Sequence, residues 1–134
     1  LVHQEGLSQR VHFCGFVHHE KIPTLLEQHG VLVVPSLWQE PFGLVVVEGM
    51  AAGRVVVASA TGAIPEIIKH NHTGKLFEPG NVEQLAEILG RLVQDPASGR
   101  KLARQGQRTA LERFSLNVMI DRVERLLEKV ATQR

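Results

Sequence analysis

Short apolar runs alternating with longer amphipathic segments constrain the fold of this chain more than any other feature. Such alternation indicates a parallel sheet joined by crossover helices, an α/β architecture. Strands are expected near Val11–Phe16, Val31–Pro35, Val55–Ser59 and Lys75–Phe77. Helices are expected near Glu20–Gln28, Gly43–Ala52, Ile64–Lys69, Val82–Gln94, Pro96–Arg113 and Leu116–Ala131, giving about four strands and six helices. Leu85, Ile88, Leu89, Leu92 and Val93 fall on one face of the helix at Val82. Asn81 is its expected N-cap, with Gln84 three residues on as in a capping box. Asp95 before Pro96 suits the cap and first position of the next helix. Met119, Val123, Leu126, Leu127 and Val130 give the final helix an apolar stripe.

Length and composition narrow the function classes. A chain of 134 residues makes one domain of ordinary size with a useful core. The balance of 15 basic against 14 acidic side chains lacks the basic excess of nucleic-acid binders. No apolar run approaches the ~20 residues that span a bilayer, and no signal peptide is visible. The single cysteine, Cys14, excludes an internal disulfide framework and suits a reducing, cytoplasmic setting. Its place in an expected strand makes it a buried, inert thiol, and His12 beside it a packed histidine. The chain lacks an initiating methionine and begins Leu1-Val2-His3-Gln4, which reads as the tail of a helix; a fragment is expected.

Chemistry concentrates in Gln39-Glu40-Pro41-Phe42-Gly43-Leu44-Val45-Val46-Val47-Glu48-Gly49-Met50-Ala51-Ala52-Gly53, where two carboxylates bracket seven uncharged residues. A carboxylate in an apolar run is costly unless satisfied. Leu44–Val47 is β-branched and reads as strand by propensity, yet Glu48-Gly49-Met50-Ala51-Ala52 continues past strand length. Helix is therefore expected, and Glu48 within it does not simply alternate outward. One glutamate before a helix and one inside it could face a single ligand across the helix start. Such a ligand needs hydroxyls for the carboxylates and an anion for the helix N-terminus. A nucleotide-sugar has both.

The spacing of Glu40 and Glu48 resembles the E-x7-E motif of retaining glycosyltransferases that use nucleotide-sugar donors and have two Rossmann-like domains, the GT-B fold. Val31–Ser36 leads into the motif, Val55–Ser59 follows it, and Thr61-Gly62-Ala63-Ile64-Pro65-Glu66 and Asn71-His72-Thr73-Gly74-Lys75-Leu76-Phe77 complete the series. From about Arg10 onward the chain resembles the second half of the C-terminal domain of the "glycosyl transferases group 1" family, which includes synthases of glycogen and sucrose and mannosyltransferases. The resemblance implies a single partial Rossmann-like domain over 1–134, without the N-terminal domain or the first two strands. In the strand order 3-2-1-4-5-6, the strand at Val11 would sit apart from the one at Val31. Rearrangement, strand exchange between copies or a sticky edge would follow.

The resemblance also implies roles. Glu40 sits beside the donor sugar near the reacting centre, and Glu48 accepts from the ribose hydroxyls, each carboxylate oxygen taking one O–H. The N–H groups of Phe42, Gly43, Leu44 and Val45 point at sugar and phosphate oxygens, and Gly43 lets the sugar approach the backbone. The base rests on Gly15-Phe16-Val17-His18, held at Phe16 and by the main chain of Val17. The implied reaction transfers a sugar from a nucleotide diphosphate with retention, without a metal or other cofactor. An upstream Arg/Lys pair that stabilises the leaving diphosphate, the acceptor site and an active-site histidine lie outside this chain, so it would bind donor weakly and catalyse nothing by itself. Gly49 in place of alanine should loosen its helix by ~1 kcal/mol; Arg54 near a usual proline and Ala63 for a glycine also depart from the pattern.

Simpler readings stand beside these. Glu40 and Glu48 could be a cap-proximal charge and a structural ion pair. Thr61–Ala63 reads as a turn near the site, and Glu66 as a first-turn acid that suits the helix dipole. His18-His19 and His70-x-His72 lack the companions of a zinc site. Arg100, Lys101, Arg104 and Arg108 read as a solvated face, and Trp38 as either a pocket wall or packing. A phosphorylase or sugar-nucleotide epimerase of the same fold is one alternative function. A non-catalytic α/β module that binds nucleotides or a partner is another.

Overall fold

The computed structural model describes residues 1–132. Three parallel strands, β1 (Val31–Val34), β2 (Val55–Ser59) and β3 (Lys75–Phe77), lie in the order β1-β2-β3. Val31 faces Val55 across the first ladder and Val57 faces Lys75 across the second. The helices are α1 (Ile22–Glu27), α2 (Leu44–Ala51), α3 (Ile64–Ile67), α4 (Val82–Gln94), α5 (Pro96–Phe114) and α6 (Leu116–Ala131), with a 3-10 turn at His19–Lys21 before α1.

Every residue of β2 is buried, as its uninterrupted apolar run requires of a central strand. Val56 and Ala58 meet Val46 and Met50 of α2 and Ile64 and Ile67 of α3 on one face. Val55 and Val57 meet Leu92, Leu102 and Ala103 of α4 and α5 on the other. At roughly 1.5–3 kcal/mol per buried large aliphatic side chain, this two-sided burial fixes the strand's place.

The sheet has three strands among the described residues, where four were expected. Val11–Phe16 is irregular, and Phe13 and Phe16 are 83% and 86% exposed. A strand needs a neighbour to pair its N–H and C=O groups, and none of the described residues supplies one here. The three ladder strands occupy adjacent places, as the last three do in the order 3-2-1-4-5-6. Two dependent expectations fall with the strand: Cys14 and His12 are exposed. Leu1–Arg10 forms turns, not a helix tail.

Leu44–Val47 is helical, and packing explains it. Val46, Gly49 and Met50 recur at helical spacing and bury one face of α2 against the sheet, which outweighs the β preference of valine. Gly49 belongs to that face: a Cβ there would strike the Leu32 side chain and crowd Val56. Its cost in helix propensity is therefore repaid by close approach of helix to sheet. Arg54 ties the ends of α1 and α2 together, donating to the carbonyls of Ala52 (3.0 Å), Glu27 (3.3 Å) and His29 (2.8 Å).

Asn81 caps α4 by accepting from the N–H of Gln84 at 2.9 Å. The reciprocal arm of the box is absent, because Gln84 Oε1 accepts from the N–H of Glu78 instead. Asp95 caps α5 through the N–H of Ser98. Leu92 of α4 is buried and Leu85, Ile88 and Leu89 pack beside it, but Val93 is 79% exposed. The apolar stripe of α6 is present and exposed from Met119 to Val130.

Candidate functional site

The carboxyl ends of β1 and β2 deliver two loops that lock together. After β1 the chain runs Pro35–Gly43 into α2; after β2 it turns sharply at Thr61–Ala63 into α3. Three hydrogen bonds join them. The Thr61 hydroxyl donates to the carbonyl of Trp38 (3.1 Å), the N–H of Gly62 to Gln39 Oε1 (3.0 Å), and the N–H of Ala63 to the carbonyl of Glu40 (2.9 Å). Gly62 has φ +55°, and a Cβ at that position would overlap the main chain of Glu40. The turn therefore requires glycine twice over, for conformation and for room.

Glu40 is half-buried, with its Oε1 accepting from the hydroxyl of buried Ser36 at 2.7 Å. That bond and the Ala63 clamp fix both its side chain and its backbone. Sequence reasoning missed Ser36, Gln39 and Thr61 in these roles. Ser36 lies four residues before Glu40 at the end of an apolar run, and that spacing was the only signal available for it.

Gly43 is the N-cap of α2 at φ 88°, a left-handed residue rather than a helical one. It is buried against Ile64 and Ile67, with a Cβ position already at 3.4 Å from Ile64. A Ser or Asp cap would satisfy the first helical N–H groups with its side chain; Gly43 supplies none. Its carbonyl accepts from Val46 (3.0 Å) and Val47 (3.4 Å). The N–H groups of Leu44 and Val45 have no protein acceptor among the described residues. The start of α2 thus presents free donors, and the positive end of its dipole, to whatever lies beyond it.

Glu48 projects, exposed, into a cleft of about 410 Å³ between α1 and α2, with His19, Ile22, Pro23, Leu26 and Ala52 among its walls. Apolar walls with two carboxylates, Glu27 and Glu48, among them suit a flat ring joined to a hydroxylated one. The structure brings Glu48 to the segment that follows Phe16 and Val17, through His19. Phe16 and Val17 themselves do not line the cleft; the Phe16 ring meets His18 edge-on with centroids 5.2 Å apart. Glu40, Phe42, Gly43, Leu44 and Val45 lie outside the cleft walls as well, grouped at the helix start. Trp38 is 65% exposed.

Neither glutamate is in a salt bridge among the described residues, so the simpler ion-pair account of Glu48 has no support. No three His, Cys, Asp or Glu side chains among the described residues converge on a common metal position. His70 is committed to structure, its Nδ1 accepting from the N–H of Leu76 at 2.9 Å. Arg100, Lys101, Arg104 and Arg108 are exposed on α5, with Arg108 bonded to Glu112. A hollow of about 480 Å³ at the opposite end of the sheet has Lys75, Arg91 and Asp95 in its walls. There Asp95 caps α5 and Arg91 pairs with Glu87.

A held carboxylate, open helix amides and a second carboxylate over an apolar cleft, all at the carboxyl ends of a parallel sheet, define an α/β domain suited to a ligand carrying hydroxyls and an anion. Residues 1–109 match the family of glycosyl transferases group 1, and the chain belongs to that family. It is 38% identical over 116 residues to an MMP alpha-(1->4)-mannosyltransferase of Mycolicibacterium hassiacum, covering 86% of this chain and 28% of that one. The crystal structure of HepE from Anabaena in complex with UDP superposes with a TM-score of 0.90 at 31% identity, over 96% of this chain and 35% of HepE. HepE in complex with UDP-glucose gives 0.87. The C-terminal domain of LpcC, a glycosyl transferase group 1 protein from Francisella tularensis, gives 0.79 at 33% identity, covering 86% of this chain and 59% of that domain. The chain thus spans about a third of the full-length relatives. No described helix is long and apolar enough to cross a membrane.

Proposed function

We propose that this chain is the donor-binding part of a retaining GT-B glycosyltransferase, the second half of its C-terminal domain, and that it binds a nucleotide-diphosphate sugar. The observation that carries this reading is the paired placement at α2. Glu40 is locked four residues ahead of an uncapped helix start, and Glu48 stands within that helix at a nucleotide-sized cleft. Glu40 accepts from donor-sugar hydroxyls beside the reacting carbon and is the catalytic residue of this half. Its Oε2 is free of protein partners among the described residues, since Ser36 occupies only Oε1. The Leu44 and Val45 amides, with those of Phe42 and Gly43, meet sugar and phosphate oxygens and stabilise the charge that develops on the leaving diphosphate. Glu48 takes the ribose diol, and the base lies toward Phe16 and Val17 along the α1 side of the cleft. Family membership and the UDP-bound neighbours support the donor class.

Transfer needs parts beyond these residues: cations for the diphosphate and an acceptor site, both placed in the partner N-terminal domain and the remaining strands.

Titration of the isotope-labelled chain with the glucose diphosphates of uridine, guanosine and adenosine tests the reading. Amide shifts confined to Val17 and Phe42–Glu48 are expected. Glu48→Ala removes the carboxylate that accepts from the ribose and, at roughly 1.5–3 kcal/mol for one charge-assisted hydrogen bond, should weaken every nucleotide by at least about tenfold. Glu40→Ala should remove only the increment that the sugar adds. Equal affinity of both variants and wild type for all the ligands would refute these roles.

A further inference from the structure

We propose that Phe114, remote in sequence from the donor-site residues, is a positioning residue for the segment that enters α2. The inference rests on the donor-site reading and adds a residue to it. The entry segment is held at both ends and loose between them. Glu40 is fixed by Ser36 and by Ala63. Gly43 is buried against Ile64 and Ile67. Between these anchors, no main-chain hydrogen bond engages Pro41 or Phe42 among the described residues. What holds this stretch is the Phe42 ring, which meets Phe114 edge-on with centroids 6.1 Å apart and planes at 79°.

Phe114 is itself well anchored. It is the last residue of α5, half-buried and packed against the core cluster that contains Val46 and Ile64. The Arg113 guanidinium lies 5.0 Å from its ring centroid, a favourable cation–π contact. The chain breaks direction immediately afterwards, at the extended residue Ser115. Phe42, by contrast, remains 44% exposed. An edge-to-face pair prefers a definite mutual orientation, so the better-anchored ring sets the angle of the more exposed one. Through Phe42, α5 sets the direction of the Phe42 and Gly43 amides. Glu48 stands apart from this contact, because Val46, Gly49 and Met50 bury the inner face of α2 and Gln107 of α5 donates to the carbonyl of Ala51 at its far end at 3.0 Å.

That separation gives a signature that general destabilisation would not produce. Without the Phe114 ring, affinity for the nucleoside diphosphate should hold within about twofold, while the gain from adding the sugar falls fivefold or more. The experiment compares UDP and UDP-glucose, or the corresponding pair if another base binds tighter, across wild type, Phe114→Leu and Phe114→Tyr. Phe114→Tyr keeps the ring and should restore the sugar increment. Ligand-free backbone order parameters should fall at Phe42 and Gly43 in Phe114→Leu and stay unchanged at Val46. Phe42→Leu, which alters only the exposed partner, should loosen the same two residues even if Phe114→Leu folds poorly. An undiminished sugar increment in Phe114→Leu, or equal loss of both ligands, overturns the proposal. A wild-type chain that binds neither ligand refutes the donor-site reading instead. The positioning role then stands or falls on the order parameters, and unchanged values at Phe42 and Gly43 overturn it.

Discussion

Replacing Gly62 by alanine adds one methyl group where the β2–α3 turn presses on the loop carrying Glu40. Two costs follow from the geometry. At φ +55° a side chain costs about 1–2 kcal/mol. The new Cβ would also fall on the N, C and O atoms of Glu40, and main chain cannot swing aside as a rotamer can. If the loop stays, overpacking adds about 1–3 kcal/mol. If it withdraws, it forfeits the bonds from Thr61, Gly62 and Ala63, at about 0.5–1.5 kcal/mol each. The first route gives a loss of about 2–5 kcal/mol and the second about 2.5–6.5 kcal/mol, each a large share of the roughly 5–15 kcal/mol that holds a domain folded. Urea unfolding followed by circular dichroism measures the global loss. Trp38, the only tryptophan, lies on the loop itself, so its fluorescence reports withdrawal separately. A variant within 0.5 kcal/mol of wild type, with unshifted Trp38 emission and Glu40 amide, would refute the argument that the turn builds the site.

Three further substitutions test the account of the fold. Gly90→Ala, on α4 with open space around the position, should stabilise the chain by about 0.5–1 kcal/mol. Gly49→Ala gains the same propensity on α2 but must displace Leu32, so a net loss of about 1–2 kcal/mol is expected; measured stabilisation would show that α2 can lift from the sheet freely. Asn81→Ala removes the α4 cap and should cost about 1 kcal/mol, read as a lower urea midpoint at unchanged m-value.

Much of the fold was legible because it depends on local pattern. The bounds of β2, β3, α4 and α6 follow from apolar runs and caps that the sequence displays directly. The Asn81 and Asp95 caps needed only the side chain and an N–H three residues on. Glu40 and Glu48 could be picked out because a carboxylate in an apolar run requires a reason. The failures lie where the outcome depended on a neighbour. Val11–Phe16 has a strand's composition and no partner for its ladder among the described residues, so it stays irregular and leaves Cys14 exposed. Gly49 looked like a defect in a helix and is the gap that admits Leu32.

The sequence alone determined the alternation of elements and the parallel α/β class, and it singled out the two glutamates as candidates, since periodicity, capping and the cost of isolated charge act over a few residues. Only the tertiary structure decided how Glu40 and the loop that carries it are held. Ser36 on Glu40, the Thr61–Ala63 clamp and the Phe42–Phe114 pair join segments set by strand register and helix packing. Contacts of that kind leave no periodic trace along the chain, because each one depends on the positions of two elements at once.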